Sequence, residues 1–283
     1  MHFGFVVPYA DARDFAELSA LGESCGWDGV FTWEAVWGVD AWVSLAAAAM
    51  ATERIHLGTL LTPVPRIRPW DLASRVGTVD RLSGGRAILG AGLGALHEGW
   101  TAFEADEGRR IRAEKLDECL AIYAGLMQGQ PFDYTGQHYR ARPTDFMVPA
   151  PPVQKPRPPV WVVGAEVSGR VEQPSLRRAA RWDGLLPQYI GASDDDQSSD
   201  LLRLAQLVRR VRAFREEEGL PWEGYDVVLE ADSTGEWKTT APPDPAPWAE
   251  VGVTWWVESW WSVPRGPEGL AEVRRRIRAG PPG

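Results

Sequence analysis

The chain has 283 residues, 44% of them apolar and 24% charged, and a formal charge of −9. That composition is one of a globular protein able to bury a sizeable core, and it excludes wholesale disorder. The basic residues are 27 arginines against 3 lysines and form no polycationic face of the kind a phosphate backbone needs, so nucleic acid is set aside as a partner.

The opening residues "MHFGFVVP" read as a strand rather than a leader, and no run of about 18 apolar residues follows, so a cytoplasmic protein without a membrane span is expected. In chain order the first half alternates strand-like runs with helical periodicity: "HFGFVVP" from His2, a helix over 14–25, "GVFTWE" from Gly29, a helix over 41–52, "IHLGTLLTP" from Ile55, a helix over 70–82, "AILGAGLG" from Ala87 and a helix over 112–128. The second half continues with "VWVVGA" from Val160, a short helix over 175–180, "WDGLLP" from Trp182, a helix over 200–218, "DVVLEAD" from Asp226, "TWWVES" from Thr254 and a last helix over 267–279. Between the last two strands, four prolines in "APPDPAPWAEVG" leave room for one short helical turn at most.

Eight strands separated by crossovers predict an α/β fold, a (β/α)8 TIM barrel, with residues 1–283 forming one domain. Residues 131–159 read as an insertion before the fifth strand, a hairpin around Thr135 and Gly136 followed by a proline-rich extended connector. The polar stretch from Gly191, "GASDDDQSSD", reads as a loop feeding the next helix.

Active sites of such barrels sit at the C-terminal ends of the strands, and the residues closing each run are therefore the candidates. Glu34, Glu230 and Glu258 are the carboxylates to weigh for acid or base work there. His2 and His56 begin strands and belong at the far end, His138 is in the hairpin, and only His97 is near the mouth; this argues against a metal site. Cys25 and Cys119 stand in helical segments without a CxxC and read as small core residues. No GxSxG occurs and no strand-end nucleophile has an evident histidine partner. "GAGLGA" from Gly90 does not open directly into a helix, as a dinucleotide fingerprint must; Gly92, Leu93 and Gly94 either pack closely in the barrel or leave backbone room for a flat or phosphorylated ligand. The runs "RRIR" at Arg109 and "RRRIR" at Arg274 read as solvated helix faces. Trp33, Trp37, Trp255, Trp260 and Trp261 suit an apolar or aromatic substrate pocket or, equally, the core.

Three stretches, "GWDGVFTWE", "RIHLGTLLTPVPRIRPWDLASRVGTVDRLSGGRAILGAGLG" and "PVWVVGAEVSG…SLRRAARWDGLLP", together resemble the bacterial luciferase-like, flavin-dependent oxidoreductase superfamily over roughly residues 1–190. The resemblance implies a barrel binding FMN or coenzyme F-420 at its mouth. It implies a non-prolyl cis peptide joining Leu60 to Leu61, a bulge supporting the cofactor ring, with Thr62, Pro63 and Pro65 holding it rigid. It places the cofactor phosphate around Gly164, Ala165 and Glu166 and the helix starting near Ser175, where Arg177 and Arg178 either neutralise the ligand or cover the barrel exterior. Arg66, Arg68 and Arg170 join those two as basic groups suited to the acidic tail of coenzyme F-420. Many relatives carry an acidic residue followed by histidine after the second strand; here the pair is Glu34 and Ala35, which leaves Glu34 the first candidate for acid or base catalysis.

The implied activity is oxidation–reduction or monooxygenation of a small organic substrate, with reduced cofactor supplied by a separate reductase or dehydrogenase and a homodimer left open. A non-catalytic flavin-binding barrel, which the absent histidine would suit, and a cofactor-free carboxylate glycosidase are the competing readings.

Overall fold

The computed structural model describes residues 1–96, 99–191, 197–233 and 244–282. Eight parallel staves form a closed barrel: β1 (His2–Val6), β2 (Gly29–Thr32), β3 (His56–Thr59) continued by β4 (Thr62–Pro63), β5 (Ala87–Gly92), β8 (Val160–Val167), β9 (Gly184–Ile190), β10 (Asp226–Ala231) and β11 (Trp255–Ser259). Each stave pairs with its neighbours in chain order, and β1 pairs with β11 to close the ring, Val6 opposite Ser259. This is the TIM barrel expected from the strand count.

The helices alternate with the staves: α1 (Ala12–Ser24), α2 (Ala41–Ala51), α3 (Pro69–Ser83), α4 (Arg109–Gln128), α5 (Pro174–Ala180), α6 (Gln197–Glu217), α7 (Ala246–Glu250) and α8 (Pro267–Ala279). Asp11 and Asp40 cap α1 and α2, each accepting two backbone N–H groups at 2.9–3.0 Å and satisfying donors the first turn leaves open. The proline-rich crossover before β11 forms only the five-residue α7.

The insertion before β8 is as expected. Its hairpin, β6 (Tyr134–Thr135) against β7 (Arg140–Ala141), is antiparallel. Glu118 of α4 accepts the N–H groups of Gln137, His138 and Tyr139 at 2.7, 3.0 and 2.9 Å, and buried Asp80 accepts those of Val153 and Gln154 at 2.6 and 3.2 Å. Both ends of the connector are thereby fastened to the helix layer.

One buried cluster draws on every stave: Val6, Phe31, Leu60, Ile88, Trp161, Leu186, Val228, Trp255 and Val257. It is the barrel interior. Gly29 and Gly58 make room for its large rings, since a Cβ on either would stand 2.7 Å from Trp255 or 2.8 Å from Phe31. Trp255 and Trp161 therefore plug the base of the barrel, with His2 stacked on Trp255 at 4.7 Å and His56 edge-on at 5.6 Å.

Arg86, 8% exposed at the start of β5, ties α2 to the barrel through Thr52 Oγ1 and the carbonyls of Ile55, Thr52 and Ser83 at 2.9, 2.7, 2.8 and 2.6 Å. Removing it leaves buried carbonyls without donors. Arg86→Leu is expected to lower unfolding free energy by about 3 kcal/mol in urea titration while leaving the distant mouth intact.

Candidate functional site

The C-terminal ends of the staves open into a cavity of about 700 Å³. Its floor is built by strand parity, because residues two positions beyond an interior residue return to the interior face. Val163 follows Trp161 in this way and Gln188 follows Leu186, and both line the cavity. Trp33 on β2's end and Trp261 past β11 meet edge to face at 6.3 Å in its wall, and Trp33 Nε1 donates to Pro8 O at 2.7 Å.

The peptide joining Leu60 to Leu61 is cis, where the resemblance put it, and both side chains line the cavity. Thr62 is buried beneath, its hydroxyl donating to Thr59 Oγ1 at 3.1 Å. Gly92 faces this bulge: a Cβ there would approach Leu61 to 2.9 Å and Val163 to 3.1 Å. Leu93 and Gly94 extend the same wall. Gly94, at φ +78°, lets Trp100 fold over the strand end, where a Cβ would meet the indole at 2.5 Å.

Glu34 lies in the cavity wall, its N–H donating to Leu61 O at 3.2 Å. Trp42 Nε1 donates to its carboxylate at 3.2 Å and Arg75 donates at 3.3 Å. Burial pushes the Glu34 carboxyl above the ordinary glutamate value of 4.5, outweighing the Thr62 hydroxyl, the Arg75 charge and the Trp42 indole. Ala35 lines a neighbouring cavity of about 560 Å³ that shares Tyr9, Trp33 and Arg265 with the main one.

The fifth stave divides its residues between two faces. Ala165 lines the mouth, and its N–H donates to Ser175 Oγ at 3.0 Å. Gly164 faces the helix layer, where a Cβ would stand 2.3 Å from Leu185 and 3.2 Å from Leu176. Glu166 pairs with Arg210 at 2.9 Å in a separate recess that also holds Arg170. On α5, Arg177 turns outward to Glu217 at 2.9 Å and lies over Phe214, while Arg178 lines the mouth and is paired bidentately with Asp117 at 2.5 and 2.8 Å. His97 lies outside the described residues.

The first turn of α4 adds cations that composition alone hides. Arg109 and Arg112 line the mouth, whereas Arg110 pairs with Glu114 on the outer face. The "RRIR" run is thus a solvated face only in part, because helical spacing carries positions 109 and 112 to one side and 110 to another. "RRRIR" divides likewise, with Arg276 buried. The Arg66 and Arg112 guanidinium groups both lie over Trp100, each 5.4 Å from the indole ring. The buried Nε atoms of both arginines and Nε1 of Trp100 have no hydrogen-bond partner, although Arg112 Nε is 3.3 Å from Asp106. The cations that line the open cavity are Arg109, Arg112, Arg178 and Arg265, and a rim of that charge suits an anionic or acceptor-rich ligand.

Of the other candidates, Glu258 faces away from the mouth, its carboxylate accepting Trp256 Nε1 at 2.8 Å and Trp260 Nε1 at 3.1 Å. Trp255 is core and Trp37 is 85% exposed, so of the five tryptophans only Trp33 and Trp261 line the main cavity. His138 bonds Glu114 at 2.9 Å. Among the described residues no three His, Cys, Asp or Glu side chains converge as metal ligands, and no helix is long and apolar enough to cross a membrane.

The sequence profile of the luciferase-like monooxygenase family matches residues 1–234. The chain belongs to that family. This luciferase-like barrel is 35% identical over 145 residues to a Mycobacterium tuberculosis protein provisionally named a coenzyme F420-dependent oxidoreductase, covering 50% of the chain and 41% of the relative. The chain spans less than two thirds of the curated relatives it matches first. Among solved structures it is similar to the coenzyme F420-dependent tetrahydromethanopterin reductase of Methanopyrus kandleri, with a TM-score of 0.74 at 18% identity, covering 99% of this chain and 98% of that one. It is also similar to the oxygenating constituent of 3,6-diketocamphane monooxygenase of Pseudomonas putida, a complex with FMN, with a TM-score of 0.62 at 21% identity, covering 82% and 68%. At those identities the structural likeness speaks to the luciferase-like fold.

Proposed function

We propose that the chain, as one barrel domain over residues 1–283, is an oxidoreductase that binds coenzyme F-420 or FMN in the mouth and acts on a small organic substrate. The observation that carries this reading is the cavity itself: an apolar floor of Leu61, Gly92 and Val163 beside a rim that carries Arg109, Arg112 and Arg178. A flat ring system ending in a phosphate needs that pairing of apolar plane and basic rim. The names of the relatives, F420-dependent in two cases and FMN-bound in another, support the same cofactor class.

The bound cofactor supplies hydride or oxygen-insertion chemistry, with reducing equivalents delivered by a separate reductase or dehydrogenase. The chain's own residues do the rest. Leu60, Leu61, Gly92 and Leu93 offer the ring a flat apolar rest, and Thr62 packs beneath it. Arg109, Arg112, Arg178 and Ser175 face the side where the phosphate would lie, with Ala165 between them. Glu34, fixed by Arg75 and Trp42, holds or takes a proton at its carboxylate. Gly164, Glu166 and Arg177 would act through the shape of the β8–α5 turn, since their side chains point elsewhere.

Binding is tested by fluorescence titration with FMN and with coenzyme F-420. The expected result is saturable binding of at least one of them that weakens as salt rises, because exposed charge pairs are screened over about 8–10 Å at ordinary ionic strength. The salt dependence should be steeper for coenzyme F-420, whose acidic tail adds charges that Arg109 and Arg112 can meet. Failure of both to bind would remove this reading.

A further inference from the structure

Glu230 is the one carboxylate of β10 that points into the barrel at the level of the mouth. It stands two positions beyond Val228, which belongs to the interior cluster, and so shares its face. Below it the interior is closed by Trp161 and Trp255, and Val257 is its register partner on β11. The side chain is half-buried, and the Trp261 indole that donates to it lines the mouth.

Its partners set it apart from Glu34. Trp261 Nε1 donates to Glu230 Oε2 at 3.2 Å, and the Ser259 hydroxyl lies beside the carboxyl. Ser259 Oγ also lies 3.3 Å from Val257 O, to which its own proton can go. The groups facing Glu230 from its neighbours are Gln188 on β9 and Ser259 and Trp261 after β11, none of them charged. Across the mouth stand Tyr9, Glu34 with its own Arg75, and the rim arginines 109, 112, 178 and 265. Asp226, lower on the same face, is held by Trp161 and Thr254 at 3.0 and 2.8 Å. No cation among the described residues is paired with Glu230. Burial pushes its carboxyl above the ordinary value of 4.5, against the weaker pull of Trp261 and Ser259.

We propose that Glu230 is the neutral hydrogen-bond and proton donor to ligands in the mouth, a role distinct from that of the guanidinium-paired Glu34. The proposal rests on the reading of the cavity as a cofactor and substrate site. In the donating step the Glu230 O–H bond breaks and a bond from that hydrogen to an acceptor atom of the ligand forms. The carboxylate left behind keeps the Trp261 N–H and regains its proton from water through the mouth.

Two measurements test it. Infrared spectra of the cofactor-free chain near neutral pH should show a carboxylic-acid carbonyl band that E230Q loses and E34Q retains. FMN and coenzyme F-420, titrated by fluorescence across pH, should bind wild type about tenfold more weakly once Glu230 ionises, because an anion then replaces a donor. E230Q should lack that step. Should E230Q fail to fold, Trp261→Phe serves instead: without the indole donor the acid form persists to higher pH, and the band and the binding step move up together. Absence of the band from wild type, or a binding profile for E230Q that follows wild type, overturns the proposal while leaving the functional reading standing. A mouth that binds neither cofactor removes both, and the infrared result then reports a structural acid only.

Discussion

Leu61→Trp is expected to weaken cofactor binding by at least about 100-fold, near 2.7 kcal/mol, while moving the unfolding temperature by no more than about 3 °C. The asymmetry follows from where the residue sits. Leu61 lines the mouth and is only half-buried, whereas its neighbour Leu60 is 5% exposed within the interior cluster. An indole at position 61 would project over Gly92 and Val163, the surface that a flat ring has to lie on, without displacing the packed interior below. Leu60→Trp should do the reverse and act chiefly on stability, since overpacking a closed interior forces its neighbours off their rotamers. Fluorescence titration paired with thermal melts separates the two. Equal effects of Leu61→Trp on binding and melting, or unchanged binding, would show that the ring rests elsewhere.

The barrel was legible because its signal is periodic and repeated. Eight apolar runs with crossovers admit few topologies, and each run falls on a stave, down to the single short turn allowed before Trp255. The strand-end motif around Leu60 and Leu61 was equally readable, being carried by a contiguous resemblance. What eluded the sequence was which face each side chain takes. Around Gly164, Ala165 and Glu166 three consecutive residues were grouped, yet a strand alternates, and only Ala165 points to the mouth. Counting by twos from Trp161 would have selected Val163 and Ala165. The same holds on α5, where Arg177 and Arg178 are adjacent in sequence and about 100° apart on the helix. Arg109, Arg112 and Trp100 were missed for another reason. They lie beyond the end of β5, where strand parity no longer says which way a side chain points, and Gly94 at φ +78° lets Trp100 lie against the strand end.

Glu34→Gln should lower turnover by about 100-fold, the lower end of what a positioned acid or base contributes. The carboxylate is not free to be replaced by a neighbour: Ala35 has no ionisable atom, and Glu230 is held on a different stave by its own donors. Arg75 and Trp42 fix both oxygens of Glu34, so the amide retains the shape but meets two donors with only one acceptor. With the rate followed as loss of reduced-cofactor absorbance against a quinone acceptor, wild type should show an ionisation above 4.5 that the variant lacks. The stability linkage gives an independent sign. A carboxyl whose folded value is raised contributes stability that is fully present below 4.5 and is lost as pH rises through the folded value. Glutamine does not titrate, so the difference in unfolding free energy between the two proteins should shift in favour of Glu34→Gln as pH rises from about 4 to about 8. Wild-type rates in the variant across that range would sink the acid–base role even if the stability shift appears, because burial alone produces the latter. Loss of rate without the stability shift would instead place Glu34 in solvent-like surroundings and leave its action to charge at the mouth.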